Sequence, residues 1–397
     1  MLVEIIVAVF LGILAGIFTG LIPGIHINLV FGIVLGSLAF LFEISTFAAV
    51  AFIVSIAIMH TFIDFIPSIY LGAPNEDTAL STMPGHKFLM KGHGHEALQY
   101  TLLGSIIAVV LLFFIVPLFM IVIPFAYSFI SDMMAFILIW VSIFLILPEK
   151  SKWAVILVFF LSGFLGIASM GLGLDQSLMP LLTGLFGSST IITSIKSSVQ
   201  VPKQEIDKIS VSFKEIAPPT FATALVSPIC SFFPGIGASQ AAVIGSRVIK
   251  EKSRKQFLIL LGSINTLVMA VSFVTLFLVG KSRTGAAAAV FEVVRVDIKI
   301  LFLIGIIVII TSAIAVPVTL YFSKIFALNI SKINYSLISY GVLVLLCGVV
   351  LSFSGILGFL VFVVATFVGL FCSYIGVRKG FLMGALLIPT ILFYFPV

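Results

Sequence analysis

Residues 20–28 read Gly20-Leu-Ile-Pro23-Gly24-Ile-His26-Ile-Asn28, and residues 231–239 read Ser231-Phe-Phe-Pro234-Gly235-Ile-Gly237-Ala-Ser239. Each stretch interrupts an apolar run with a Pro-Gly break and follows it with polar side chains. A proline inside a helix removes one hydrogen bond and costs about 3 kcal/mol or more. Unpaired backbone in hydrocarbon adds to that cost, so such breaks persist only where protein or a water-lined cavity receives them. Two breaks of the same form in one chain therefore predict a site.

The surroundings set the class. Hydrophobic residues make up 61% of the 397 and charged residues 9%, more apolar surface than a soluble core can bury. Apolar segments are expected at 5–22, 25–42, 47–63, 98–123, 133–148, 153–170 and 177–194. Further segments are expected at 217–233, 236–246, 257–279, 300–322, 335–351, 355–376 and 381–396. Most are long enough to cross a hydrocarbon layer of roughly 30 Å. They lack the strict alternation of a transmembrane β-strand. The fold class predicted is an all-α polytopic protein of a prokaryotic plasma membrane. The N-terminal stretch, without a basic region or cleavage site, reads as the first membrane segment rather than a removable signal. Cys230, Cys347 and Cys372 are scattered in apolar runs and read as small packing residues. The net charge of +6 is spread over short loops, the pattern of a positive-inside bias rather than of nucleic-acid binding.

The two breaks belong to halves that repeat. Gly12, Gly16, Gly20 and Gly24 are spaced by four, and Thr223, Ser227, Ser231 and Gly235 follow at a constant offset of 211 residues. Small residues at every fourth position form a helix face that another backbone can approach closely. The polar stretch 196–216 reads as a cytoplasmic linker between a first membrane repeat, 1–195, and a second, 217–397. The loop at 42–46 carries only Glu43, whereas its counterpart at 247–255 carries five basic residues. By the positive-inside rule these loops lie on opposite sides, which makes the expected repeat an inverted one with two broken helical hairpins.

In such transporters, half-helix N-termini from the two repeats meet near the midplane and face an anion, while unwound carbonyls hold a cation. The residues expected to bind substrate are Pro23, Gly24, Asn28, Thr78, Pro234, Gly235, Ser239, Gln240 and Arg283. Arg283, with Lys281 nearby, supplies charge against an anion, and an arginine can grip a carboxylate or phosphate with two hydrogen bonds. Asp64, Glu76, Asp77 and His60 are expected to bind the coupling ion or relay a proton, because ionisable side chains inside a membrane are functional candidates. No cofactor is expected beyond Na⁺ or H⁺ as coupling ion. His86, His93 and His95 have no fourth partner in sequence and read as loop residues rather than a metal site. The sequence has no HExxH, and Asp175 in GLGLD is one residue late for an intramembrane aspartyl motif, so an enzyme is not expected.

The stretches GIFTGLIPGI (16–25), SIYLGAPNEDTALSTMPGH (68–86) and SFFPGIGAS (231–239) resemble the TctA family, the large permease subunit of tripartite tricarboxylate transporters, and its shorter archaeal-type branch. Thr78, Ala79, Thr82, Pro84 and Gly85 match the family's middle motif, with Asn75-Glu76-Asp77 in place of its paired glycines. Gly235-Ile-Gly237 matches its Pro-Gly turn, where the first half has His26. The resemblance implies secondary transport of a carboxylate by alternating access, driven by a cation gradient. It also implies a solute-binding protein and a small membrane subunit as partners; the exposed apolar helices fit a homodimer. The same pocket chemistry leaves open a translocase for a polyprenyl-phosphate lipid carrier and, from another class, a membrane-embedded enzyme acting on a lipid or peptide.

Overall fold

The computed structural model describes residues 2–22, 30–31, 45–72, 78, 82–174, 177–196, 201–231, 237–249, 253–282, 284–332 and 335–395. Among these, the elements are α1 (Leu2–Leu21), α2 (Thr46–Ile63), α3 (Phe65–Tyr70), α4 (Thr82–Leu89), α5 (Gly94–Asp132), α6 (Met134–Ile146) and α7 (Lys152–Gly171). They continue with α8 (Leu178–Leu182), a π-helical turn (Thr183–Ser188), α9 (Ser189–Lys196), α10 (Phe213–Cys230), α11 (Ala238–Val248) and α12 (Arg254–Val279). The remainder are α13 (Gly285–Val293), α14 (Ile298–Ile330), α15 (Tyr335–Tyr374), a 3₁₀ turn (Lys379–Met383) and α16 (Gly384–Tyr394). The described residues contain no strand. Seven of the helices are long and apolar enough to cross a membrane. The all-α polytopic class is therefore what the chain adopts.

Segment by segment the correspondence with the apolar runs is close. Segments 335–351 and 355–376 meet in α15 at Gly355, whose φ of 62° no other residue adopts cheaply. A short helix at Gly285–Val293 was not expected from the Ala-rich run there. The first Pro-Gly break lies outside the described residues, as does the expected segment 25–42 apart from the buried Val30 and Phe31. Residues 232–236 of the second break lie outside them too.

Two helices sit at the centre. In α12, 94% of the spanning window is buried, and in α2 continued by α3, 83%; for α1 the share is 22%. The outer helices turn their Phe and Ile side chains outward instead, as lipid demands: Phe18, Phe114, Phe125 and Phe302 are all exposed.

Glycines set the spacing. A Cβ on Gly12 would stand 2.7 Å from the Phe52 carbonyl, on Gly16 2.6 Å from Met59 Cβ, and on Gly20 2.9 Å from Ile63 Cβ. The fourfold ladder thus lets α1 lie directly on α2, running in the same direction. In the second half, Thr223 on α10 bonds Ser263 on α12 through their hydroxyls. Positions 52 and 263 differ by the same 211 residues that separate Gly12 from Thr223. Between α5 and α12, a Cβ on Gly104 would collide with the Ile259 carbonyl, and one on Gly262 with the Thr101 carbonyl. Ser105 Oγ donates to the Gly262 carbonyl across that seam at 3.2 Å.

Contacts along the helices give their directions. α5 and α12 run together: Lys255 meets Glu96 near their starts, and Lys281 lies over the Tyr127 ring near their ends. α14 runs against them, bringing Ser323 to His95 at 2.7 Å. α2 and α3 run with α14, through Ser55 to Thr311 and Tyr70 to Ser323. α10 starts where α12 starts, with Glu215 near Lys255. So α1 and α2 travel toward the end that carries Lys255, and α10 and α12 travel away from it.

That end gathers the basic loops. Arg247 binds Glu149 at 3.3 Å, and Arg378 binds the same carboxylate at 3.4 Å. Lys379 donates to Ser189 and Thr190 at 2.8 and 2.6 Å. Within the expected linker, residues 201–212 lie along the start of α5. Glu205 N–H donates to the Gly92 carbonyl at 2.7 Å, Gln204 receives Gly94 N–H at 2.9 Å, and Gln99 bonds Asp207 and Ile209.

Candidate functional site

The central helices are where backbone irregularity meets buried polarity. α2 would run unbroken to Tyr70 but for Pro67, whose missing N–H leaves the Ile63 carbonyl without its helical donor. The chain turns at Asp64, between α2 and α3, while Asp64 N–H still reaches the His60 carbonyl at 3.0 Å. Asp64 is only 4% exposed. Facing it from α12 is Asn265, 3% exposed, which donates Nδ2 to Asp64 Oδ2 at 3.5 Å and to the Thr61 carbonyl at 3.4 Å. A carboxylate buried inside an apolar bundle is costly unless such donors or a cation meet it.

Polar groups extend from this pair along both helices. His60 Nδ1 bonds Thr19 on α1 at 3.1 Å, between Gly16 and Gly20 of the ladder. Thr266, beside Asn265, is buried, and its hydroxyl has no hydrogen-bond partner among the described residues; the same holds for Ser227 on α10. Further along α12, Ser272 bonds Thr284 at 2.9 Å, and Thr284 caps α13 by accepting Ala287 N–H at 3.1 Å. On the other side of Asp64, Ser68 donates to the Thr78 carbonyl at 3.2 Å, drawing the buried Thr78 against α3.

The expected site residues distribute as follows. Asp64, His60 and Thr78 all belong to the buried polar region around α2 and α3. Thr78 joins it through its backbone carbonyl. Ser239 and Gln240 lie in the first turn of α11, which begins just after Gly237 with the extended φ and ψ of an N-cap, so a helix does start after the second break. Nothing further is described of their side chains. Pro23, Gly24, Asn28, Glu76, Asp77, Pro234, Gly235 and Arg283 lie outside the described residues. Lys281 stands on the opposite end from the basic loops, exposed, with Nζ 5.7 Å from the Tyr127 ring centre, and its hydrogen bond to Tyr127 raises its pKa. His93 lies near Glu96 and Glu205 at 3.6 and 3.4 Å, and His95 turns inward to Ser323. Burial of the His86 imidazole lowers its pKa.

Asn265 is the residue that sequence reasoning left out of the site. It was visible as a polar interruption in an apolar run, but only the helix packing puts it against Asp64. Together the pair brings a buried carboxylate, an amide N–H donor and the Thr61 carbonyl into one space.

Comparison with known proteins gives the same direction. No solved structure matches this chain. An uncharacterized protein of Methanocaldococcus jannaschii is 30% identical over 360 residues, covering 87% of this chain and 88% of its own length. The family model described as the tripartite tricarboxylate transporter TctA family matches residues 6–384. With that match over nearly the whole length and a chain of membrane-spanning helices, the protein belongs to the TctA family, a family of membrane transporter components and not of enzymes.

Proposed function

We propose that the chain is the permease of a secondary transporter for a small di- or tricarboxylate, working by alternating access and coupled to Na⁺ or H⁺. The observation that carries this reading is the buried Asp64–Asn265 pair, set where a broken α2 meets α12. Asp64 is the coupling residue in this account. With a cation or proton bound, its charge is neutralised and the two central helices can pack tightly. Without one, the buried charge favours an arrangement that admits water.

The anion site lies, on this reading, between the two Pro-Gly breaks. The start of α11 supplies N–H groups on one wall, and Asn28, Ser239, Gln240 and Arg283 complete it. The opposite directions of α1–α2 and α10–α12, with the register of Gly12 to Phe52 and Thr223 to Ser263, support an inverted repeat. The basic end is then cytoplasmic. A solute-binding protein delivering substrate on the other face, and a small membrane subunit beside the bundle, complete the assembly.

Uptake of radiolabelled citrate and C4-dicarboxylates into proteoliposomes, with and without a Na⁺ or pH gradient, tests this. Gradient-driven uptake in the wild type and its loss in Asp64→Asn are expected. A second reading has an observation of its own. An apolar groove of about 450 Å³, lined by Phe113, Pro117, Phe302 and Ile306 among others, opens between α5 and α14 toward lipid. Such a groove could hold a polyprenyl chain. Absence of gradient-driven uptake together with accelerated flipping of a polyprenyl phosphate would replace the carboxylate reading with that one.

A further inference from the structure

The basic end also holds a polar cavity of about 670 Å³. Its cationic wall comes from two separate parts of the chain: Lys87, Lys91 and His93 around the turn from α4 to α5, and Arg254 and Lys255 at the start of α12. Two carboxylates, Glu96 and Glu215, share the wall, and both are already engaged. Glu96 Oε1 accepts the Tyr100 hydroxyl at 2.7 Å and lies 3.5 Å from Lys255 Nζ. Glu215 Oε2 accepts the Ser212 N–H and hydroxyl at 2.9 and 3.0 Å. Lys87, Lys91 and Arg254, in contrast, make no ion pair among the described residues.

Four permanent cations against two occupied carboxylates leave an excess of positive charge in a concave space. The first turn of the 26-residue α12 adds to it: Ser253 caps the helix by accepting Gln256 N–H, and Ser253, Arg254 and Lys255 of that turn line the cavity. Lysines act as point charges on phosphate, and arginine can hold it with paired hydrogen bonds. The volume exceeds that of a lone oxyanion. We infer that this cavity is a second anion site, which takes a phosphate-bearing ligand at the basic end and bridges the α4–α5 turn to the start of α12. Its ligand is either a soluble phosphorylated molecule or the headgroup of an anionic lipid.

The test uses the full chain in nanodiscs. Pyrophosphate is titrated calorimetrically into nanodiscs of neutral phosphatidylcholine. In parallel, thermal unfolding is compared between those nanodiscs and ones containing phosphatidylglycerol. The variant K87Q/K91Q/R254Q is set against K150Q/K152Q/K208Q, which removes equal charge outside the cavity at exposed positions. Wild type is expected to bind pyrophosphate with a strong salt dependence, weakened about tenfold or more in the cavity variant and little changed in the control. Stabilisation by phosphatidylglycerol without pyrophosphate binding, lost in the cavity variant alone, assigns the site to a lipid headgroup. Equal weakening in both variants, or no effect of the cavity variant in either arm, overturns the proposal.

Discussion

Asp64 and Asn265 are the residues on which the transport reading turns. Asn265→Leu removes the donor that faces Asp64 while filling the same space. Leaving the carboxylate without that hydrogen bond should cost about 1–3 kcal/mol. A fall in the unfolding temperature of the detergent-solubilised protein checks this, and Asp64→Asn in the same background should recover part of the loss. If N265L unfolds like the wild type, the pair is not the electrostatic centre described here. Gly16 poses a steric question instead. A leucine there would place its Cβ 2.6 Å from Met59 Cβ, with the rest of the side chain inside α2. Gly16→Leu is expected to part α1 from α2 and abolish folded protein in the membrane, whereas Gly305→Leu, where an added Cβ meets nothing within 4 Å, should be tolerated. Size-exclusion profiles of the two variants distinguish these outcomes.

Among the elements, α11 is the most informative because it begins just after the second Pro-Gly stretch of the sequence. Its last turn is fastened by Arg247, whose Nη1 donates to the Phe144 carbonyl at 2.7 Å and Nη2 to the Leu145 carbonyl at 3.1 Å. Those carbonyls sit in the final turn of α6, where a helix leaves acceptors unsatisfied and favours a cation. Arg247→Gln should raise amide exchange across 238–248 about tenfold or more, equivalent to about 1.4 kcal/mol. Unchanged exchange would mean that the arm is held elsewhere. The start of α10 makes a pH-dependent case. The Ser212 N–H holds the Glu215 carboxyl below its ordinary value. A lowered pKa means that the interaction stabilises the helix start above the ordinary glutamate range and is lost as the pH falls through the folded value. Wild type and Glu215→Gln should therefore differ in α10 exchange at neutral pH and converge only once the pH falls through the lowered folded value.

At the scale of the molecule, opposite helix directions and a one-sided charge distribution make a claim about sidedness. In a background with Cys230, Cys347 and Cys372 replaced, a single cysteine at Lys208 should react with a membrane-impermeant maleimide only in inside-out vesicles. One at Lys299 should react only in right-side-out cells. Labelling of both from the same side would sink the assignment of the basic end to the cytoplasm.

Helix content and the close packing of α1 were legible in the residues. Apolar length fixes which segments span a bilayer, and glycine at every fourth position has few uses except close approach of another helix. Asp64 was legible as well, because a carboxylate inside an apolar segment is conspicuous. What faces Asp64 was not: Asn265 is 201 residues away, and no local pattern encodes which helix packs on which. The polarity of 196–216 marks it as a linker but does not say what it packs on: Gln204 and Glu205 bind backbone groups beside α5 that lie more than 100 positions earlier. Pairing of Lys87 and Lys91 with Arg254 around one cavity was likewise invisible, since each charge reads alone as a solvated loop residue. Composition and short-range periodicity thus determined that this chain spans the membrane as a bundle of helices. Only the tertiary packing decided which polar groups share a buried space, because that depends on contacts between residues hundreds of positions apart.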